Sequence, residues 1–145
     1  MSFGESIAPF FGRMVLAWFF LTQAYRYALD WENTVMLLSM KHVSAAPALL
    51  LVSLIGAVMG SMSLLLGFRT RAGALVLFAI SIVVAVTLHD YWHLQAAVAR
   101  DADFNLFARD IAIAGGLLML IGMGSGRFGF DGEKPAGKAA GKKEH

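Results

Sequence analysis

The chain contains no cysteine among its 145 residues. That excludes a disulfide framework, a thiolate metal site, an iron–sulfur cluster and a cysteine nucleophile. Charge is also scarce: Asp, Glu, Lys and Arg make up 15% of the chain, against roughly 25% in an ordinary soluble domain. The net charge of +2, behind a pI near 9.2, is too small to argue for a nucleic-acid partner. No Ser–His–Asp set, phosphate-binding loop, dinucleotide fingerprint or internal repeat is visible. The opening "MSFGESIAPF" has no basic n-region and no small-residue cleavage site behind a short apolar core. A removed signal peptide is therefore not expected, and the first helix is expected to stay as an anchor.

What is present is hydrocarbon. Hydrophobic residues make up 58% of the chain and the mean hydropathy is +0.65. Four apolar stretches stand out, at about 7–28, 46–68, 72–89 and 104–124, each close to the ~20 residues that cross a ~30 Å core. Polar faces, which a soluble bundle needs, are mostly missing from them. The expected fold is an all-α four-helix transmembrane bundle over residues 1–130, followed by a polar tail at 131–145. That tail, "DGEKPAGKAAGKKEH", cannot build a core and is expected to dock on a cytoplasmic partner.

The connections differ in kind. Residues 30–45 form a long mixed loop in which "MLLSM" is a candidate for a short interfacial helix. "GFRTR" (67–71) reads as a tight turn, and "DYWHLQAAVARDAD" (90–103) as a longer loop. The chain ends and the 67–71 turn carry Arg13, Arg69, Arg71, Arg127, Lys134, Lys138, Lys142 and Lys143. The two long loops and their helix ends carry only Arg26, Lys41, Arg100 and Arg109. The positive-inside rule then places both termini in the cytoplasm and the two long loops toward the periplasm or exterior. Gly56 and Gly60, with Ser53, Ser61 and Ser63 nearby, predict close helix approach, and Gly115 and Gly116 suggest the same for the fourth helix.

One feature of the fourth segment carries chemistry. "NLFARDIAIAGGLLML" (105–120) places Arg109 and Asp110 at the head of an apolar helix. A helix starting after Asp110 would span only ~21 Å to Gly124, too short for the core, so both charges belong to the membrane region. Sequence neighbours lie ~100° apart on a helix, so each is expected to find a partner elsewhere. Asp110 is expected to pair with Arg26, and Arg109 to face head groups or an acidic partner. "TQAYRYALDW" and "TLHDYWH" bring Gln23, Tyr25, Arg26, Asp30 and Trp31, and His89, Asp90, Trp92 and His93, to the same end. Ionisable groups at such depth are costly and face an interior, a cavity or a partner.

The layer has two readings: a salt-bridged rim that locks the bundle or docks a neighbour, and a site for a quinone or polar-headed lipid. For the second, His89, Tyr25 and Arg26 supply the hydrogen-bonding groups beside an apolar slot. His89 and His93, at i and i+4, could share a helix face toward a metal, with only His42 to complete a set. Belt residues at the interface are the simpler reading, and haem ligation by His89 and His42 is weaker again. No metal site is expected.

"GRMVLAWFFLTQAYRY", "LLLGFRTRAGALVL", "TLHDYW" and "RDIAIAGGLLMLIGMGSGRFGFD", taken together over about 12–131, resemble the DoxX family. The resemblance implies a four-helix inner-membrane protein and an association with redox work, since related proteins include a small subunit of a thiosulfate:quinone oxidoreductase. Three positions depart from the family pattern. The small-Gly-x-x-Lys motif late in the first helix reads Thr22-Gln23-Ala24-Tyr25-Arg26, Ala57 replaces a Glu, and Asp110 replaces an Asn.

The expected function is therefore a small DoxX-like subunit of a membrane-bound oxidoreductase. It would offer a quinone- or lipid-facing site formed by Tyr25, Arg26, His89, Arg109 and Asp110. Arg26 and Asp110 set that site's charge balance, and His89 bonds a quinone carbonyl or relays a proton. Redox centres would sit in other membrane subunits, the chain itself holding at most a quinone or phospholipid. The alternative is a non-catalytic accessory or assembly subunit whose rim anchors a larger complex. A small-solute transporter is a weaker third, since no broken helix or inverted repeat is evident.

Overall fold

The structure, a computed structural model, describes residues 3–124. The closing "SGRFGFD" motif, the 131–145 tail and the basic residues they contribute to the orientation argument lie outside the described residues. Those described form α1 (Phe3–Leu29), α2 (Trp31–Met40), α3 (Ala46–Leu66), α4 (Thr70–Leu88), a 3-10 turn (Tyr91–His93) and α5 (Ala97–Met123). Four stretches, Ile7–Leu29, Ala46–Leu66, Thr70–His93 and Ala97–Met123, are long and apolar enough to cross a membrane. The chain is a multi-pass membrane protein built as a four-helix bundle, with the short α2 added at one end.

Local sequence fixes the turns. α3 stops at Gly67, whose φ of 66° is the left-handed conformation that glycine adopts without a Cβ penalty. Arg69 is also left-handed, at φ 48°. The Ser63 hydroxyl reaches back to this turn, 2.6 Å from the Phe68 carbonyl oxygen and 3.2 Å from that of Arg69. The turn predicted at "GFRTR" is thus a hydrogen-bonded reversal between α3 and α4. At the opposite end the chain bends once, at Asp30, and continues directly into α2. The Thr34 hydroxyl donates to the Asp30 carbonyl at 2.8 Å, and the Asn33 amide donates to its carboxylate at 2.6 Å. The helix suspected around "MLLSM" is therefore ten residues long, and α1 and α2 share one bend rather than a loop.

The bundle's inner surface is smaller and more polar than its outer one. Along α3, Leu50, Ala57, Gly60, Ser61 and Leu64 are buried, whereas Val52, Ile55, Met59 and Leu66 are exposed. In water such an outer face would be a large apolar patch; in a bilayer it meets acyl chains, and packing of small residues becomes the force between helices. Gly60 and Gly73 form the closest approach of α3 and α4. A Cβ on Gly60 would lie 2.7 Å from Leu77 and 3.1 Å from the Gly73 carbonyl oxygen. Gly56 likewise faces Val76 and Ile80. The expectation for Gly115 and Gly116 is corrected: nothing lies within 4 Å of a Cβ built on either.

Helices pack in the order α1–α3–α4–α5. α1 and α5 meet mainly through side chains, with Ala17, Phe20 and Ala24 joining Leu117 and Leu120 in the central core. A second cluster of Leu38, Ala46, Leu50 and Leu88 fastens α2 onto α3 and α4. The α1–α5 seam is thus the loosest of the bundle. α5 begins at Ala97, seven residues before the expected Phe104 start. Its 27 residues reach about 40 Å at ~1.5 Å per residue, some 10 Å more than a ~30 Å core. The extra two turns carry Arg100, Asp101 and Asp103 on a stretch too polar to be read as membrane helix.

Candidate functional site

A cleft of about 720 Å³ opens at the α2 end of the bundle. Helical spacing explains its walls. Gln23, Arg26, Tyr27 and Asp30 recur at i, i+3, i+4 and i+7, so one face of α1 brings them together. α2 adds Asn33, Thr34 and Leu37, and α5 adds Asp103, Leu106 and Arg109. The floor is set by the end of α4. That helix stops at Leu88, and His89 follows with φ −111° and ψ 54°, a non-helical geometry that leaves the residue 9% exposed. Lys41 holds the end in place: its ammonium donates to the Leu88 carbonyl at 2.8 Å and pairs with the Asp90 carboxylate. A cation at a helix C-terminus satisfies carbonyls that have no helical partner.

A row of four polar side chains crosses this floor. The Arg109 guanidinium donates to Asp110 Oδ1 through Nε at 3.0 Å and lies 2.9 Å from it through Nη2. Asp110 Oδ2 faces His89 Nε2 at 3.5 Å, and His89 Nδ1 faces Asp103 Oδ1 at 3.9 Å. Neither of these last two contacts is a hydrogen bond, since ordinary N–H···O distances are ~2.7–3.2 Å. Asp110 is 4% exposed. It lies 13 residues from Met123, about 20 Å along the helix axis, well inside a ~30 Å core. Arg109 also sits over the Phe19 ring of α1, 5.4 Å from its centroid, a cation–π contact that bridges the loose seam. Chemically, an imidazole between two carboxylates can pass a proton from one to the other, or offer one nitrogen to a ligand while the other is held.

Of the five residues expected to form the site, Arg26, His89 and Arg109 line the cleft, Asp110 is buried behind it against Arg109 and His89, and Tyr25 is elsewhere. Tyr25 is 66% exposed on the far side of α1, and Tyr27, two residues on, takes the wall position. The helical repeat of Gln23 and Asp30 points to Tyr27, and that signal was available. The pairing expected between Asp110 and Arg26 is corrected as well. Asp110 is held by Arg109, its own sequence neighbour, and Arg26 makes no ion pair among the described residues. The ~100° offset separates the two Cβ atoms, but an arginine side chain is long enough to curl around the helix and close that gap. Asp103 was missed because the expected helix began after it. Once α5 extends to Ala97, Asp103 stands two turns before Asp110 on the same face.

The two histidines of "HDYWH" part company. Because α4 ends at Leu88, His89 and His93 do not share a helix face. His93 instead approaches the Asp90 carboxylate with Nδ1 at 3.1 Å. His42 lies in the exposed loop before α3, at φ 58°, which removes the arrangement needed for a shared metal or haem. Among the described residues no group of three His, Cys, Asp or Glu is placed to hold a metal ion. Beside the cleft, Tyr91 meets Trp92, Phe104 and Phe107 with ring centroids 5.1–5.4 Å apart. Trp92 and Phe104 are half exposed there, as expected of an aromatic belt at the membrane interface.

Fold and site together define a small four-helix integral membrane protein with a polar-floored cleft at one end. The model of the SURF4 family matches residues 20–136, or 117 of the 145 positions, and the chain belongs to that family. No curated protein and no solved structure gives a significant match. The DoxX resemblance is thereby corrected. The described motifs that suggested it have structural duties in this bundle. "GFRTR" is the left-handed reversal after α3, "HDYW" ends α4, and "RDIAIAGG" carries the charged layer into α5. The link to oxidoreductase assemblies came only with that resemblance.

Proposed function

We propose that the chain is a membrane-embedded binding module that seats the polar end of an amphiphile, a phospholipid or an isoprenoid quinone, in the cleft over His89. One observation carries this reading: the cleft of about 720 Å³ stands at the loosest seam of the bundle, with apolar Leu29, Leu37, Leu88 and Leu106 beside polar groups. That volume falls within the ~300–1,000 Å³ usual for small-molecule sites, and the mixture of wall and floor suits a molecule with a head and a tail. With the orientation that the basic residues favour, the site would face the periplasmic side of a bacterial inner membrane. If the amphiphile is a quinone, electron-transfer centres belong to partner subunits.

Leu106→Trp would obstruct the cleft from α5 while leaving the residues of the charged row unchanged. Native mass spectrometry of the detergent-purified protein should show a bound amphiphile in the wild type and in Tyr25→Ala, whose side chain stands off the cleft. It should show the adduct lost in Leu106→Trp. Equal retention in all three proteins contradicts the reading.

A second reading, an accessory subunit that anchors a larger complex, is favoured by the first turns of α5. They carry Arg100, Asp101 and Asp103 and present Val98 at 85% exposure. Val98→Glu would then break co-migration with a membrane complex while leaving amphiphile binding intact.

A further inference from the structure

The charge and hydrogen-bonding character of the cleft floor go further and select a head group. Two arginines, Arg26 and Arg109, stand against three aspartates, Asp30, Asp103 and Asp110. Arg109 is already committed to Asp110 through two nitrogens, so a bound anion would meet one unpaired cation and an acidic surround. Behind the floor, Asp110 Oδ2 and His89 Nε2 are buried, face each other at 3.5 Å and have no hydrogen-bond partner. A carboxylate can only accept, so the proton of a neutral His89 ring is favoured on Nε2, where it faces Asp110 Oδ2 across 3.5 Å. In neutral imidazole Nδ1 is then an acceptor, and it faces the cleft beside a second acceptor, Asp103 Oδ1, 3.9 Å away. An oxygen placed ~2.8 Å from either one, a normal hydrogen-bond length, would sit beside that 3.9 Å pair. Facing two acceptors, it must bring a proton of its own.

We infer that the cleft selects an uncharged, hydroxyl-bearing head group, whose O–H donates to one member of the His89–Asp103 pair, over a phosphate-bearing one. A phosphate monoester offers anionic oxygens to two acceptors and a net acidic surround. A carbonyl without a hydroxyl offers no proton at all. The inference rests on the cleft being an amphiphile site, and it adds the chemical class. Two sources share that chemistry, the ring hydroxyl of a quinol and the glycerol hydroxyl of a neutral lipid.

The test uses the full chain in nanodiscs of phosphatidylcholine. Binding is measured for dioleoylglycerol, for dioleoyl phosphatidic acid, and for decylubiquinol and its quinone under anaerobic conditions. Dioleoylglycerol and phosphatidic acid share their tails and differ only in the head. The expected result is at least about tenfold tighter binding of a hydroxyl probe than of phosphatidic acid, the size of one hydrogen bond to a charged group. Whether dioleoylglycerol or the quinol is held tighter identifies the source, and the quinone should bind more weakly than its quinol. Asp103→Asn and His89→Gln should each reduce the preference for the hydroxyl probe about tenfold while leaving the helical content unchanged. Asp103 is partly exposed, so its variant keeps the test readable even if His89→Gln perturbs folding. Tighter binding of phosphatidic acid, abolished by Arg26→Gln, overturns the head-group inference while leaving an amphiphile site. Absence of binding for all four probes overturns both.

Discussion

Asp110 and Arg109 form the most exposed-to-refutation element of the structure, because their two side chains are not equally trapped. Removing Arg109, as Arg109→Met, strands a carboxylate that is 4% exposed and about 20 Å from the far end of its helix. Breaking a buried pair in this way costs about 3–5 kcal/mol. Removing Asp110, as Asp110→Leu, strands a guanidinium whose side chain is 33% exposed. Its long stem can swing the charge toward the head-group region, which limits the expected cost to about 1–2 kcal/mol. The double variant removes both charges and should lie within about 1 kcal/mol of wild type, as apolar replacement of buried pairs commonly does. The single effects should therefore fail to add by at least about 2 kcal/mol. Unfolding in mixed SDS micelles, followed by tryptophan fluorescence, measures all four proteins. Equal costs for the two single substitutions, or an additive double variant, would refute the assignment of Asp110 as the trapped partner.

Two further outcomes follow from the packing. Gly60→Ala forces a Cβ to within 2.7 Å of Leu77 and should cost about 1–3 kcal/mol as an overpacked contact, whereas Gly115→Ala, which meets nothing within 4 Å, should be neutral in the same unfolding assay. Lys41→Met removes the ammonium from the end of α4 and from Asp90; a loss of about 1–2 kcal/mol is expected, and hydrogen exchange should quicken at residues 88–93 while that of α3 stays unchanged.

How much was legible in the sequence depends on which physical signal each feature uses. Hydropathy marks the bilayer, so the four spans were readable from their apolar length. Hydropathy is silent where a helix leaves the membrane, and so the polar "AVARDAD" read as loop although it is the start of α5. That single boundary hid Asp103. The Gly56–Gly60 spacing was informative because close backbone approach demands small residues. Gly115 and Gly116 show that the same residue type on an outward face says nothing about contact. Convergence of charge at one end followed from topology: α1 and α4 end where α5 begins. Pairing within the layer did not, since it depends on how far an arginine can bend and on where α4 stops. Tyr25 against Tyr27 was decidable by counting turns from Gln23. His89 turning inward was not, because it depends on a backbone geometry after Leu88 that no local motif announces.

The central claim, that the cleft between α1, α2, α4 and α5 seats the polar end of a membrane amphiphile, is tested most directly by photolabelling in nanodiscs. The probe is a neutral lipid with a diazirine beside its head-group hydroxyl, and the labelled peptides are mapped. Labels concentrated on residues 23–37, 88–89 and 103–109, and reduced by Leu106→Trp, are predicted. Labels spread along the exposed apolar faces of α3 and α4, unchanged by Leu106→Trp, would contradict it.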